Sequence, residues 1–413
     1  MSNLKSLTLK DIAAPGRSVI SGPFGSSIGK RFFQSSGIPV IRGNNLTTDF
    51  KKFKDEGFVF LSEKKADELK ADALQMDILF TAAGTIGQVG MIPKTSKFER
   101  YVISNKQLRF RVDKQQADPE FVYYWLASPW IKKTIENRNT GSTVPLINLG
   151  IIKSLPISLP ENIQEQKKIS GLLSSMDNKI ELNNKIVSEL EAMAKLIYDY
   201  WFVQFDFPDA NGNPYKSSGG KMVYNQELKR EIPEGWKIGE LSDLAKIKAG
   251  GDKPNIVSTE KTLETPIPIY SNGIQNFGLY GFTEIAKIVS PSITLSARGT
   301  IGVAFLRMEP FVPIIRLIVV TPKNNNFLFY LNELLKNTSF ENSGSVQKQL
   351  TAPQISKLKI LLPSSDILER HTSIIENFVK KIELSKNENN ELRVLRGWLL
   401  PMLMNGQVTI SNN

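Results

Sequence analysis

The chain contains no cysteine and a single histidine, His371, among its 413 residues. The first absence excludes disulfides, thiolate metal sites and a cysteine nucleophile. The second leaves almost no material for a histidine general base or a histidine metal cluster. No apolar run approaches the roughly 20 residues of a membrane-spanning helix, and the opening Met-Ser-Asn-Leu-Lys-Ser-Leu-Thr-Leu-Lys lacks the apolar stretch of a signal peptide. A soluble, cytoplasmic protein is the expectation. Acidic residues are in deficit, with 41 Asp and Glu against 52 Lys and Arg and a formal charge of +11. That excess points to an anionic partner, nucleic acid first and a membrane surface second.

Nucleotide and metal motifs are incomplete. Gly25-Ser-Ser-Ile-Gly-Lys-Arg31 imitates a phosphate loop, but that loop needs four residues between its glycines and a Ser or Thr after the lysine. Gly84, Gly87 and Gly90 do not have dinucleotide-binding spacing and read as turn glycines. Asp209 with Glu227 and Lys229 mimics the acidic pair and lysine of a metal-dependent nuclease. The pair lies among Asn, Gly, Pro and Ser, where nothing fixes two carboxylates around a divalent ion. Gly212-Asn-Pro-Tyr215 is similar to the Asn-Pro-Pro-Tyr loop in which amino-methyltransferases hold a flipped adenine, but it has one proline instead of two and no glycine-rich cofactor motif before it. No catalytic residue and no metal ligand is assigned.

What the chain does have is one sentence written twice. Residues 139–160 recur as residues 342–363, and both copies are followed by a long helix pattern. Gly84-Thr-Ile-Gly87 returns as Gly299-Thr-Ile-Gly302, offset by 215, and Lys179-Ile-Glu-Leu182 returns as Lys381-Ile-Glu-Leu384, offset by 202. Such spacing describes duplicated domains, not a solenoid with a period of roughly 20 to 50 residues. The shrinking offset assigns the length difference to the globular parts and leaves the helical parts in step.

Residues 1–160 carry short apolar runs separated by Gly, Asn and Pro clusters, which read as strands and turns. Asp118-Pro119 begins a helix there, as N-cap and first helical residue, so the region is α+β. Residues 161–203 form a coiled-coil pattern with seam positions Ile169, Leu173, Met176, Ile180, Asn183, Val187, Leu190, Ala194, Ile197 and Trp201. A helix from Gln164 to Tyr200 would span about 55 Å at roughly 1.5 Å per residue. Residues 204–234 read as a linker and 235–363 as a second α+β region, whose Leu241-Ser-Asp-Leu244 matches Leu9-Lys-Asp-Ile12. Residues 364–413 hold a second helix, with seam positions Ile375, Phe378, Ile382, Ser385, Asn389, Leu392, Leu395 and Leu399, ended by Pro401. Both seams turn polar mid-length, at Asn183 and at Ser385 with Asn389, which predicts that they pair with each other. The alternative is that each helix packs on its own domain. Antiparallel pairing would give a pseudo-twofold rod with a globular reader at either end.

Candidate DNA contacts form two sets. The first region has Lys30, Arg31, Arg42, Asn44, Asn45, Arg109 and Arg111; the second has Lys253, Tyr270, Asn272, Arg298, Arg316, Gln347 and Lys348. Arg reads guanine bidentately, Asn and Gln read adenine, and Lys serves mainly phosphate.

Two variable α+β regions alternating with two similar long helices resemble the specificity subunit of type I restriction-modification systems. The motifs that carry the resemblance are Gly22-Pro-Phe-Gly-Ser26 with Gly37-Ile-Pro-Val-Ile-Arg42, the paired Gly-Thr-Ile-Gly turns, the segment Trp201 to Tyr215, Gly219-Gly220 and Ile232-Pro-Glu-Gly-Trp236. The resemblance implies that each globular region is a target recognition domain reading one half of a bipartite double-stranded DNA target, with the helices setting the spacer. It also implies that two modification subunits carry S-adenosylmethionine for adenine N6 methylation and that restriction subunits supply ATP- and Mg2+-dependent activity. This chain would bind no cofactor of its own. Two other classes share some features. A stand-alone DNA-binding regulator would bind its site tightly without methyltransferase subunits, and a coiled-coil scaffold would have no sequence preference.

Overall fold

The computed structural model describes residues 4–141, 143–340 and 349–410. They fold as two compact units, one running to Asn184 and resuming at Lys386, the other spanning Lys185–Ser385.

The described residues of the first unit form β1 (Leu4–Thr8), β2 (Val19–Ser21), β3 (Ile38–Ile41), β4 (Val59–Leu61), β5 (Asp72–Leu74), β6 (Ile78–Thr81), β7 (Val89–Met91), β8 (Arg100–Ile103), β9 (Gln107–Phe110) and β10 (Pro156–Pro160). They form a sheet of order β2-β9-β6-β7, a second of order β4-β3-β8-β5, and the antiparallel pair β1-β10. The first sheet packs Ile78, Phe80, Leu108 and Phe110 against the helix Pro119–Leu126, whose Phe121 to Leu126 are all buried. Asp118 caps that helix, accepting from the Phe121 amide at 3.0 Å, as its position before Pro119 predicts. The second sheet closes a separate core around Val40, Ile41, Tyr101 and Val102.

The second unit repeats this plan. After a hairpin of β11 (Met222–Asn225) and β12 (Arg230–Pro233) come β13 (Lys237–Glu240), β14 (Ala245–Ala249), β15 (Ile267–Tyr270), β16 (Leu279–Thr283), β17 (Ser292–Leu295), β18 (Ala304–Arg307), β19 (Val312–Pro313), β20 (Ile318–Pro322) and β21 (Lys359–Leu362). Its sheets are β14-β20-β17-β18, β16-β15-β19 and β13-β21. Each strand of these three sheets takes the place of one in the first unit, down to the parallel pairs β3-β8 and β15-β19; among the described residues no strand takes the place of β5, and the β11-β12 hairpin has no counterpart in the first unit. The smaller sheet has a correspondingly small core of Ile269, Val312 and Ile314.

The written repeat is now a piece of structure. Asn148 and Thr351, 203 positions apart, each cap a one-turn helix, Leu149–Lys153 and Ala352–Ser356. Each turn leads into a strand, β10 or β21, that pairs antiparallel with β1 or β13, respectively. Residues 341–348 lie outside the described residues.

Two long helices, Ile163–Tyr198 and Ser365–Met404, each contribute to both units. Within the first unit they run antiparallel. Asn183 meets Asn389, Asp177 meets Arg396, and Ile169 and Leu173 share a core with Leu400, Leu403 and Met404. Within the second unit Ala194, Tyr198 and Trp201 share a core with Ile367, Leu368 and Ile375, with Ile197 and Phe378 packed against it. Of the polar seam positions, Asn183 and Asn389 pair, whereas the buried Ser385 hydroxyl has no hydrogen-bond partner. Asn183 Nδ2 donates to Asn389 Oδ1 at 3.0 Å, and Asn389 Nδ2 donates to Asn184 Oδ1 at 3.0 Å.

Three sequence expectations are corrected. Leu395 is exposed, and the seam position is held by buried Arg396, which keeps the four-three stepping from Leu392 to Leu399. Pro401 does not end the second helix, which continues to Met404. A proline inside a helix costs about 3 kcal/mol, and burial of Leu400, Leu403 and Met404 in the first unit's core offsets it. Residues 204–234 are more than a linker. They hold the β11-β12 hairpin, and Tyr215 stacks on Phe207, which stacks on Trp236, with centroids 4.7 and 5.2 Å apart.

Candidate nucleic-acid interface

In the first unit, Lys30 and Arg31 lie exposed on the short helical segment Lys30–Phe32, with the Arg31 guanidinium 4.7 Å from the Phe32 ring centroid. The preceding Gly25–Ile28 is a single 3-10 turn, not the strand-loop-helix of a phosphate site. Arg42 follows β3, and its Nη2 donates to the Gly57 carbonyl at 2.9 Å. Asn44 is exposed. Asn45 is committed to the fold instead. Its buried amide donates to the Lys54 and Glu56 carbonyls, both at 2.9 Å, and its oxygen accepts from the Arg42 backbone.

Arg109 and Arg111 are also drawn inward, because strand alternation places both on the face that carries Asp77. Arg111 makes a bidentate pair with that buried carboxylate, two bonds of 2.7 Å, and the bond raises its pKa. Arg109 lies 3.8 Å from the same carboxylate and donates to the Arg17 carbonyl; burial lowers its pKa. Together with Arg17 and Lys70 they line a basic recess of about 260 Å³. Asn45 therefore presents no free reading edge, and Arg111 commits Nε and Nη2 to Asp77.

A larger recess of about 410 Å³ opens beside the Gly84-Thr-Ile-Gly87 turn, lined by Arg42, Thr81, Gln88 and Gln107 among others. Gln107 and Gln88 were not candidates. Gln107, Arg109 and Arg111 alternate along β9 and the residue that follows it, and that period-two pattern could have drawn Gln107 into the set. Gly84 and Gly87 have φ of 93° and 85°, and Gly299 and Gly302 have 70° and 83°. The two turns therefore require glycine for the same reason.

In the second unit, Lys253, Arg298 and Arg316 are exposed, and Arg298 donates to Gln349 at 3.1 Å. Arg316 and its neighbour Ile315 both have left-handed backbone, with φ of 61° and 53°, a strained state for a β-branched residue. Asn272 bridges two loops, donating to the Ile315 carbonyl at 2.5 Å and accepting from the Ala297 amide at 2.7 Å. Tyr270 supports Arg307, whose guanidinium lies 3.5 Å from the ring centroid and also donates to the Phe277 carbonyl at 2.6 Å. Burial lowers Arg307 to about 10. Gln347 and Lys348 lie outside the described residues.

Among the described residues, no group of three or more His, Asp or Glu could hold a metal. Asp209 accepts from the Asn211 and Asn213 amides in its own turn. No described helix is long and apolar enough to cross a membrane.

Two α+β units sharing one strand order in their paired sheets and carrying different side chains on equivalent frames define a duplicated recognition protein. Residues 20–192 and 233–394 each match the type I restriction modification DNA specificity domain, and the chain belongs to that family. It is 24% identical over 351 residues to the MjaIX specificity subunit of Methanocaldococcus jannaschii, covering 81% of this chain and 78% of that protein. It is 23% identical over 380 residues to the HindI specificity subunit of Haemophilus influenzae, covering 75% and 82%. The fold is that of the type I S subunit from M. genitalium, with a TM-score of 0.65 at 17% identity, covering 100% of this chain and 97% of that one.

Proposed function

We propose that this chain is the address-reading subunit of a type I restriction-modification enzyme, in which each unit reads one half of a bipartite DNA target. The observation that carries the reading is duplication with divergence on a fixed frame. Where Asp77 pairs with Arg111 in the first unit, the equivalent positions in the second are Ser292 and Thr321, whose hydroxyls lie 2.9 Å apart. One scaffold with exchanged polar groups suits two readers of different sequences, and the positive charge suits the salt-dependent phosphate contribution beneath base reading. The reading residues are proposed to be Lys30, Arg31, Arg42 and Asn44 in the first unit, and Lys253, Arg298 and Arg316 in the second.

The partners are two modification subunits, with restriction subunits joining them; S-adenosylmethionine, ATP and Mg2+ belong to those chains. Support for two equivalent partners comes from the helices. The first unit exposes Leu182, Leu395 and Trp398, and the second exposes Leu384, Met193 and Leu196. Each residue corresponds to one in the other unit at the repeat offset of 202. Exposed apolar groups repeated in register mark a docking surface used twice.

The test is to map methylated adenines in cells expressing this chain with its methyltransferase partner, then replace residues 235–363 by those of a relative. One half of the methylated sequence is expected to change while the other stays. A change in both halves, or methylation without sequence preference, overturns the reading.

A further inference from the structure

The recess beside β3, β6 and β9 has a donor-rich lining that the fold does not use. Gln107 is fully buried; its Oε1 accepts from the Ser104 hydroxyl, and its amide nitrogen has no hydrogen-bond partner. Arg42 spends Nη2 on the Gly57 carbonyl, while its buried Nε has none. Gln88 accepts from the Thr81 hydroxyl at 2.7 Å and offers its amide nitrogen only a long 3.5 Å approach to the Leu46 carbonyl. The under-used atoms are all donors. A buried donor left without an acceptor is costly, so the component that would complete this lining is a group with adjacent acceptors. Ile28 and Phe33 supply the apolar part of the wall.

The second unit makes the same frame without these groups. The aligned Gly-Thr-Ile-Gly turns place Val303 where the first unit has Gln88. The strand registers, Phe80 with Leu108 and Leu295 with Ile318, place Leu317 where it has Gln107. The scaffold therefore folds with apolar residues at both glutamine positions, which separates the glutamines from the needs of folding.

We propose that this recess is a base-reading subsite of the first unit, in which Gln107 and Arg42 donate to the O6 and N7 acceptors of a guanine edge, with Gln88 as a supporting donor. The proposal rests on the DNA-reading function above. Glutamine more often reads adenine, through an acceptor and a donor together, but the Gln107 oxygen is already taken by Ser104, so what it and Arg42 offer is two donors, the pattern that the O6 and N7 acceptors of guanine take from a bidentate arginine. A DNA phosphate also presents adjacent acceptors, and the experiment separates the two sources.

The target is first defined with unaltered DNA and the methyltransferase assembled around the complete chain. If no sequence-specific methylation is seen at that stage, it is the broader reading that fails. Duplexes then carry 7-deazaguanine, which lacks the N7 acceptor, at one guanine at a time in the half-site read by the first unit. One position is expected to lose methylation rate by about 5- to 150-fold. Gln107→Leu should discriminate that base pair poorly and respond little to the analogue, and Gln88→Val should show a weaker form of the same behaviour. The analogue acts on the unaltered protein, so poor folding of a variant does not remove the test. A half-site without guanine, or insensitivity at every guanine, overturns the proposal. Uniform weakening by the variants on all sequences, with a shallower salt dependence, assigns the recess to phosphate and also overturns it.

Discussion

Arg396 donates to Asp177 across the paired helices of the first unit. The Tyr124 hydroxyl donates to the other carboxylate oxygen at 2.6 Å, and the guanidinium lies 4.3 Å from the Phe50 ring centroid. Burial holds Asp177 above the ordinary carboxylate range, and Arg396, Tyr124 and Lys52 only partly offset it. The pair thus fixes which helix positions meet more than it adds net stability. Arg396→Met should destabilise by about 3–5 kcal/mol, because it strands a buried carboxylate. Asp177→Leu combined with Arg396→Met should recover most of that loss. The sign with pH follows from the raised pKa. Ionisation is disfavoured in the folded state, so the penalty in Arg396→Met grows as pH rises from the unfolded value through the folded one. Urea melts at pH 4 and pH 7 check both statements, and a larger loss at pH 4 would contradict them.

His371 is buried against Trp201 and Phe202, with ring centroids 5.7 and 4.9 Å away. Burial lowers its pKa to about 4. A depressed histidine pKa means the neutral ring is the folded form, so its contribution is complete above the unfolded value near 6.5 and is lost as pH falls towards 4. The slope is at most about 1.4 kcal/mol per pH unit. His371→Leu should be less acid-sensitive over that range, as measured by denaturant midpoints between pH 7 and pH 5. Parallel curves for the two proteins would assign the acid sensitivity to other groups.

The long-range plan of this chain was legible because it is written twice and because helix seams are periodic. The pairing of Asn183 with Asn389 followed from two seams turning polar at matched depth. Arg396 escaped because counting apolar residues favours Leu395, while an arginine stem can line a seam when a carboxylate meets its head. That carboxylate lies 219 residues away. Asn45 illustrates the same limit over a shorter distance. Its residue type suits adenine, but the carbonyls that consume it, Lys54 and Glu56, belong to a loop whose path local pattern does not define. Pro401 stayed helical because its neighbours had a core to fill.

The exposed residues Leu182, Leu395 and Trp398 give a direct test of partner docking. Trp398→Glu with Leu395→Glu should weaken assembly with one modification subunit while leaving the chain folded, since both side chains are largely exposed. Adding Met193→Glu and Leu196→Glu, the equivalents on the second unit, should abolish the remaining association. Size-exclusion chromatography with light scattering reads one partner lost in the first case and two in the second. Loss of both in the first case would mean that the sites are coupled or that the surface is not used twice.

Asp77 holds Arg111 and lies beside the buried Arg109, and the second unit has Ser292, Thr321 and Val319 at these places. Asp77→Ser alone leaves two arginines without their carboxylate, one of them buried, and should cost about 3–5 kcal/mol. Transplanting the full set, Asp77→Ser with Arg109→Val and Arg111→Thr, removes the stranded charges and copies a hydroxyl pair that the same frame already accommodates, so more than half of the loss should return. The triple variant also decides what the arginines do. If they serve the fold, the assembled methyltransferase should modify the same sequence at a rate within a few-fold of the original. A changed or relaxed half-site in a stable triple variant would instead make the basic recess around Arg17, Lys70, Arg109 and Arg111 part of the reading surface.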